Sequence, residues 1–263
     1  KALDKPSKRV LRDSDNLLDA VLDAWLERDL PLPEGLIKED IHWAVASKIP
    51  QSRGLKSSAA VSVAAIKSLC QATDTELNDS EIVDLSSQAQ LRANVSITGS
   101  IDDSWACLTK GWKLIDANAE EIADGVIMEG AGLNPDDWIV IIALRDEREN
   151  RPELEDFAPL YNEFEKALLA LQQGEILNCL TINGRAVCAV TNDIQGRKIS
   201  NDAFINGARS SGLTGSGPAV VIVIPSLVSS SAERIKSTLS RILPKEQIIE
   251  TRFLSQDSDE LET

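Results

Sequence analysis

The sequence predicts an α+β fold built in two parts, and three observations predict it. Residues 57–70 are a run of small and apolar side chains (Ala59, Val63, Ile66 and Leu69 among them) with little polar surface, the pattern of a buried helix. Residues 138–144 and 219–224 are short, continuous apolar runs rich in Ile and Val, the pattern of buried strands. Gly130, Gly132, Asn134 and Pro135 punctuate the chain between these patterns, which sets an expected first domain at 1–132 and a second at 133–263.

The remaining elements follow in order. Residues 16–27 place Leu17, Leu18, Val21, Leu22 and Trp25 at helical spacing. Leu30 to Gly35 carries two prolines and a glycine and reads as a turn. Residues 41–47 read as a strand feeding a loop at Pro50, and 78–92 as a helix. Short strands are expected at 96–98 and 112–115. Helices are expected at 160–173 and 175–190, with Gly184 a weak point in the second. A helix at 232–242, a last strand at 248–253 and a fraying acidic tail at 255–263 complete the reading.

Composition narrows the function. The chain has 263 residues, 43% of them apolar, enough for a proper buried core. Aromatics are only 4%, so the core rests on Val, Ile, Leu and Ala. With 27 Lys and Arg against 42 Asp and Glu, the net charge is −15, which argues against nucleic-acid or anionic-membrane partners. A small anionic substrate stays open, because a few backbone N–H groups bind phosphate on an acidic protein too. No apolar stretch reaches the length of a membrane span and no signal-like start is present, so the expected location is cytoplasmic. Cys70, Cys107, Cys179 and Cys188 include no C-x-x-C pair and are expected to be reduced thiols. The only histidine, His42, has no companion for a metal and is read as structural.

Two glycine-rich segments carry the chemistry. In Pro50-Gln51-Ser52-Arg53-Gly54-Leu55-Lys56-Ser57-Ser58-Ala59-Ala60 a loop runs through Gly54 into a helix opening at Ser57. Gly54 permits close backbone approach, and a helix N-terminus offers free N–H groups with the positive end of its dipole. Lys56 adds a mobile charge, and Ser57 and Ser58 add hydroxyls for phosphate or Mg²⁺. The segment is not a Walker A loop, since Pro50 and Leu55 stand where that motif needs glycine. The plain alternative is that Ser57 merely caps the helix. The second segment, Gly212-Leu213-Thr214-Gly215-Ser216-Gly217-Pro218-Ala219, leads into a buried strand, and its plain alternative is a tight strand entry. Two such loops favour a shared ligand.

The first segment resembles the phosphate-binding motif of the GHMP kinases, and the second their C-terminal glycine-rich motif. Val95-Ser96-Ile97-Thr98-Gly99-Ser100-Ile101-Asp102-Asp103-Ser104-Trp105-Ala106 resembles the T-G-x-x-D-D-A-x-A segment of the archaeal shikimate kinases, with Ser104 replacing the first alanine. Lys56, where most GHMP kinases carry Gly, points to the same branch, as do Leu180-Thr181-Ile182-Asn183-Gly184 and the closing Glu250-Thr251-Arg252. GHMP kinases begin with strands bearing a further motif. Those strands are not among these residues, so the resemblance implies a preceding segment or a companion chain.

The resemblance implies a two-domain GHMP kinase fold, the first part like the second domain of a small-subunit ribosomal protein and the second part ferredoxin-like. It implies transfer of the ATP γ-phosphoryl group to the 3-hydroxyl of shikimate, a step of aromatic amino acid biosynthesis, with ATP and Mg²⁺ as cofactors. Residues 50–60 and Gly215 would bind ATP, and Ser58 the metal. Asp102 and Lys56 would be catalytic, Asp102 handling the proton of the attacking hydroxyl. Thr98, Asp102, Asp103, Asn183 and Thr214 would meet the substrate. On an extended segment Asp102 and Asp103 point in opposite directions, so only one is expected to face it. Arg92, Arg145 and Arg185 are available for the shikimate carboxylate. Other readings are a GHMP kinase for homoserine or mevalonate, a non-catalytic protein of this fold that binds a ligand, and a fragment that works only with a companion chain.

Overall fold

Trp25 is fully buried at the end of helix α1 (Lys8–Glu27), and its indole N–H donates to the Pro31 carbonyl at 2.8 Å. One hydrogen bond thus fixes both the helix end and the proline turn after it. The computed structural model describes residues 8–146 and 152–255. Among the described residues, 8–50 pack with Lys56–Ala131 as one unit, and Gln51–Leu55 packs with residues 132–146 and 152–255 as another. Among the described residues no helix is long and apolar enough to cross a membrane.

The first unit is mostly helical. After α1 come a short 3-10 turn (Lys38–Asp40), α2 (Ser57–Thr73), α3 (Asp79–Arg92) and α4 (Ile101–Leu108). A hairpin follows, β1 (Trp112–Ile115) antiparallel to β2 (Val126–Gly130). Leu18 and Val21 of α1, Ile66 and Leu69 of α2 and Leu85 of α3 form one core. Helix α3 starts where Asn78 accepts from the Glu81 N–H at 3.0 Å and Glu81 accepts from the Asn78 N–H at 2.7 Å. That reciprocal cap satisfies two donors that the helix itself leaves free.

Two expected strands are not strands. Over residues 41–47 the side chains do alternate: Ile41, Trp43 and Val45 pack on the core while His42, Ala44 and Ala46 are exposed. The expected period is present, but among the described residues the backbone of 42–48 pairs with no other backbone. Residues 96–98 form a bend leading into α4, because Gly99 and Ser100 both adopt positive φ (77° and 52°) and turn the chain into the helix. Asp102 and Asp103 therefore lie in the first turn of a helix, not on an extended segment. Neither α4 nor β2 was expected from the sequence.

The second unit is a sheet covered by helices. Its elements are β3 (Trp138–Ala143), a 3-10 segment (Leu154–Leu160), α5 (Tyr161–Gln172), α6 (Ile176–Val190), α7 (Ile194–Ile205), β4 (Ser210–Leu213), β5 (Val220–Pro225), α8 (Ser229–Leu239) and β6 (Ile248–Thr251). The sheet order is β4-β5-β3-β6, antiparallel throughout. The two apolar runs are the inner strands, and Ile141, Val220, Ile222 and Ile224 are fully buried. Of the tail expected to fray at 255–263, all but Ser255 lies outside the described residues.

Gly184 sits where α6 crosses β4. A methyl group there would lie 2.5 Å from the Gly212 Cα, so the helix and the strand touch backbone to backbone. A glycine that weakens an isolated helix is here the condition for close packing. Gly184→Ala should therefore destabilise the protein by about 1–3 kcal/mol despite alanine's better helix propensity. Urea unfolding followed by circular dichroism checks this. An unchanged or raised midpoint would mean that the two elements have room between them.

Candidate functional site

Helix α2 begins without a cap. Its N-cap residue is Lys56, not Ser57, and Lys56 adopts left-handed backbone angles (φ 60°, ψ 35°) with no side-chain cap. A non-glycine residue in that region costs about 1 kcal/mol, and glycine would avoid the cost. Ala60 N–H donates to the Lys56 carbonyl at 3.2 Å, so the helical ladder starts there. The N–H groups of Ser57, Ser58 and Ala59 have no acceptor among the described residues. Three aligned donors at the positive end of a 17-residue helix are the arrangement that anion binding needs.

Ser58 is oriented from behind. Its hydroxyl donates to the Gln90 side-chain oxygen at 2.9 Å, and Gln90 is fully buried. The Gln90 amide nitrogen in turn donates to Ser86 Oγ, the Gly99 carbonyl and Ser104 Oγ at 3.2–3.3 Å. Ser62 joins the network through Ser86 at 2.6 Å. A connected polar network inside a helical unit holds its members in one arrangement. With its proton committed to Gln90, Ser58 Oγ keeps its lone pairs free to meet a cation.

Helix α4 presents the two aspartates differently. Asp103 is largely buried and accepts from the Lys56 ammonium at 2.7 Å, while Asp102 is exposed. Burial pushes the Asp103 carboxyl above the usual aspartate range, the neighbouring Asp102 charge pushes it further, and Lys56 opposes both. A perturbed carboxyl held against a lysine is the kind of group found at functional sites. The helix also carried a sequence signal: Ile101, Ser104, Trp105 and Leu108 share one face, behind an acidic first turn.

In the second unit the segment Gln51–Leu55 lies on the second glycine-rich loop. Thr214 Oγ1 donates to the Gly54 carbonyl at 2.7 Å, and the Ala219 N–H donates to the Arg53 carbonyl at 3.1 Å. A methyl group on Gly54 would lie 2.6 Å from the Gly217 carbonyl oxygen, so only glycine fits. Gly215 is exposed at the loop tip. Arg145 braces the loop from beneath: its Nε donates to the Pro218 carbonyl at 2.7 Å, and its guanidinium grips Asp193 with two nitrogens. Gln51 and Ser52 are exposed and Leu55 half-buried.

Other expected site residues fall as follows. Thr98 is exposed in the bend before α4, and Asn183 is exposed on α6. Arg145, buried and doubly engaged, is a structural brace and is not available to a substrate carboxylate. Arg92 is committed to Glu27. Arg185 lies over the Phe204 ring at 5.1 Å without a carboxylate partner among the described residues. His42 is exposed, and the four cysteines are unpaired, with burial and the Asp193 charge pushing the Cys188 thiol up to about 11. Gln90 and Arg145 are the positioning residues that sequence reasoning did not assign.

The donor set fits a nucleotide phosphate chain. Three uncapped N–H groups and a lysine suit phosphate oxygens, and Ser58 Oγ suits a hard cation. Among the described residues no cluster of three or more His, Cys, Asp or Glu is placed to hold a metal.

Residues 16–111 match the family model of the GHMP kinase N-terminal domain. The chain is 28% identical to a shikimate kinase of Methanothermobacter thermautotrophicus over 186 residues, 67% of this chain and 60% of that protein. It is 30% identical to a shikimate kinase of Pyrococcus abyssi over 144 residues, 55% of this chain and 51% of that protein. The chain thus spans about half to three fifths of these relatives. Among solved structures it is similar to the Methanococcus jannaschii mevalonate kinase, with a TM-score of 0.58, 18% identity, and coverage of 94% of this chain and 77% of that one.

The Asp103 carboxyl yields a pH test. Its pKa is raised in the folded state, so it contributes stability below the unfolded value that is lost as pH rises through the folded value. Asp103→Asn removes this dependence. Relative to the unsubstituted protein, the variant's melting temperature should therefore improve as pH rises above the ordinary aspartate value and through the raised one. The opposite trend would mean that the Lys56 ion pair outweighs burial.

Proposed function

With residues 16–111 belonging to the GHMP kinase N-terminal domain family and the described residues sharing the GHMP kinase fold, we propose that this protein transfers the γ-phosphoryl group of ATP to the 3-hydroxyl of shikimate. The observation that carries the phosphotransfer reading is the uncapped start of α2, with Ser58 oriented by buried Gln90. The substrate reading rests on Thr98-Gly99…Asp102-Asp103, on Asn183-Gly184 and on the names of the curated relatives.

Each residue has a stated task. The N–H groups of Ser57, Ser58 and Ala59 bind phosphate oxygens, and positioning and charge neutralisation dominate such transfers. Residues 50–55 and Gly215 are further nucleotide-binding residues, with Gly54 allowing the close approach to Gly217 that a side chain would block. Magnesium, when bound through Ser58 Oγ and the phosphates, supplies neutralising charge to the transferring group. Lys56, which Asp103 holds, adds a second positive charge. Asp102 is exposed and unencumbered by that pair, and it accepts the proton as the substrate oxygen attacks phosphorus and the bond to the leaving ADP breaks. Thr98 and Asp103 of the first unit are further substrate-binding residues, as are Asn183 and Thr214 of the second.

A second reading, a GHMP kinase for mevalonate or homoserine, keeps the same α2 site and changes only the alcohol. A pocket built for a ring with several hydroxyls rejects flexible chains, because its polar groups would be left unpaired.

The test is coupled ADP release with shikimate, homoserine and mevalonate, using the protein with any preceding segment or companion chain. Shikimate alone should be turned over. Asp102→Asn should lower kcat by about 100-fold or more with Mg-ATP affinity nearly kept, and Asp103→Asn should cost less. Equal turnover of mevalonate or homoserine would refute the substrate. A greater loss in Asp103→Asn would move the base to that residue. ATP binding without turnover of any alcohol would favour a non-catalytic protein.

A further inference from the structure

The second unit contains an open groove of about 750 Å³ that no role above uses. Its walls come from Trp138 at the start of β3, Leu177 and Arg185 of α6, Phe204 of α7 and Arg209 just before β4, with Asn178 at the rim. Arg209 precedes β4, whereas the glycine-rich loop leaves β4 at its other end. Four residues at about 3.3 Å each put roughly 10 Å or more of strand between them.

Two arginines line the groove of an acidic protein, whose chain carries 42 acidic against 27 basic side chains. Arg185 and Arg209 both line the groove, and neither guanidinium has a carboxylate or hydrogen-bond acceptor among the described residues. The acid in the lining, Glu175, is engaged by the Asn178 amide at 2.8 Å. Arg185 lies over the Phe204 ring at 5.1 Å, a cation–π contact that draws the guanidinium to an apolar wall. Beneath, Thr181 donates to buried Ser210 at 3.0 Å, so the floor is satisfied without a ligand.

We propose that this groove is a binding site, apart from the glycine-rich loop of the same unit, for a small aromatic carboxylate. The two guanidiniums pair with the carboxylate, and Trp138, Leu177 and Phe204 receive the ring. Arginine presents paired donors that match a carboxylate, and the volume is that of a small-molecule site. The apolar walls select an organic anion over an inorganic one, which would leave them wet.

Ligand-observed NMR with trans-cinnamate on the full chain tests this, with cinnamyl alcohol and inorganic phosphate as comparison probes. Cinnamate should bind with a millimolar or tighter Kd, and each comparison probe at least about tenfold more weakly, since a charged hydrogen-bonded contact is worth that much. The double variant Arg185→Gln, Arg209→Gln should lose about tenfold in cinnamate affinity while its melting temperature stays unchanged, both side chains being exposed. Should that variant fold poorly, Phe204→Leu serves instead and should also weaken cinnamate. Saturating Mg-ATP should not displace the probe. Equal binding of the alcohol or of phosphate, an unaffected variant, displacement by Mg-ATP or no binding at all would overturn the proposal.

Discussion

Three backbone donors with no acceptor among the described residues set the terms for the first unit. Folding normally satisfies buried or aligned N–H groups, and most helices do it with a Ser, Thr, Asp or Asn cap. Helix α2 instead enters through Lys56 in left-handed backbone geometry and leaves Ser57, Ser58 and Ala59 uncapped. Helix α3, a neighbour in the same core, has the full reciprocal cap of Asn78 and Glu81. The contrast within one unit separates a helix start whose donors are satisfied by its own side chains from one whose donors are left available.

That opening is held by polar contacts. Gln90, Ser62, Ser86 and Ser104 are all buried, and together they join α2, α3 and α4 while orienting Ser58. Asp103 does the same for Lys56 from α4. Its raised pKa shows that the carboxylate is held against its own solvation preference. Such arrangements cost stability and persist where function uses them. In the second unit the same logic appears as backbone contact: Gly54 lies against Gly217, and Arg145 fixes Pro218.

Much of this was legible in the sequence. Helices α2 and α3 and the inner strands β3 and β5 announced themselves because apolar periodicity and continuous apolar runs report burial directly. The two glycine-rich loops were legible because glycine marks backbone that must pass close to something. What stayed hidden has physical causes. Residues 41–47 have a strand's alternation, but a ladder needs a partner, and periodicity does not supply one. Helix α4 was read as extended because Thr98, Gly99 and two aspartates resemble a turn, and its short apolar face was outweighed. Gln90 was hidden because a glutamine on a helix ordinarily faces water, and only the packing of α2 and α4 around it makes it a core residue. Arg145 was offered to a substrate for the same reason: its partners, Asp193 and Pro218, are far away in sequence.

The central claim is that the α2 start binds the phosphates of ATP, and backbone amides report this directly. Titrating ¹⁵N-labelled protein with Mg-ATP should shift the amide resonances of Ser57, Ser58 and Ala59 more than those of the capped start of α3 at Asp79–Glu81. The Ser58 shift should shrink in Gln90→Ala, where its hydroxyl loses its acceptor. Saturable ATP binding that leaves the amides of Ser57, Ser58 and Ala59 unmoved would contradict the assignment of this helix as the phosphate site.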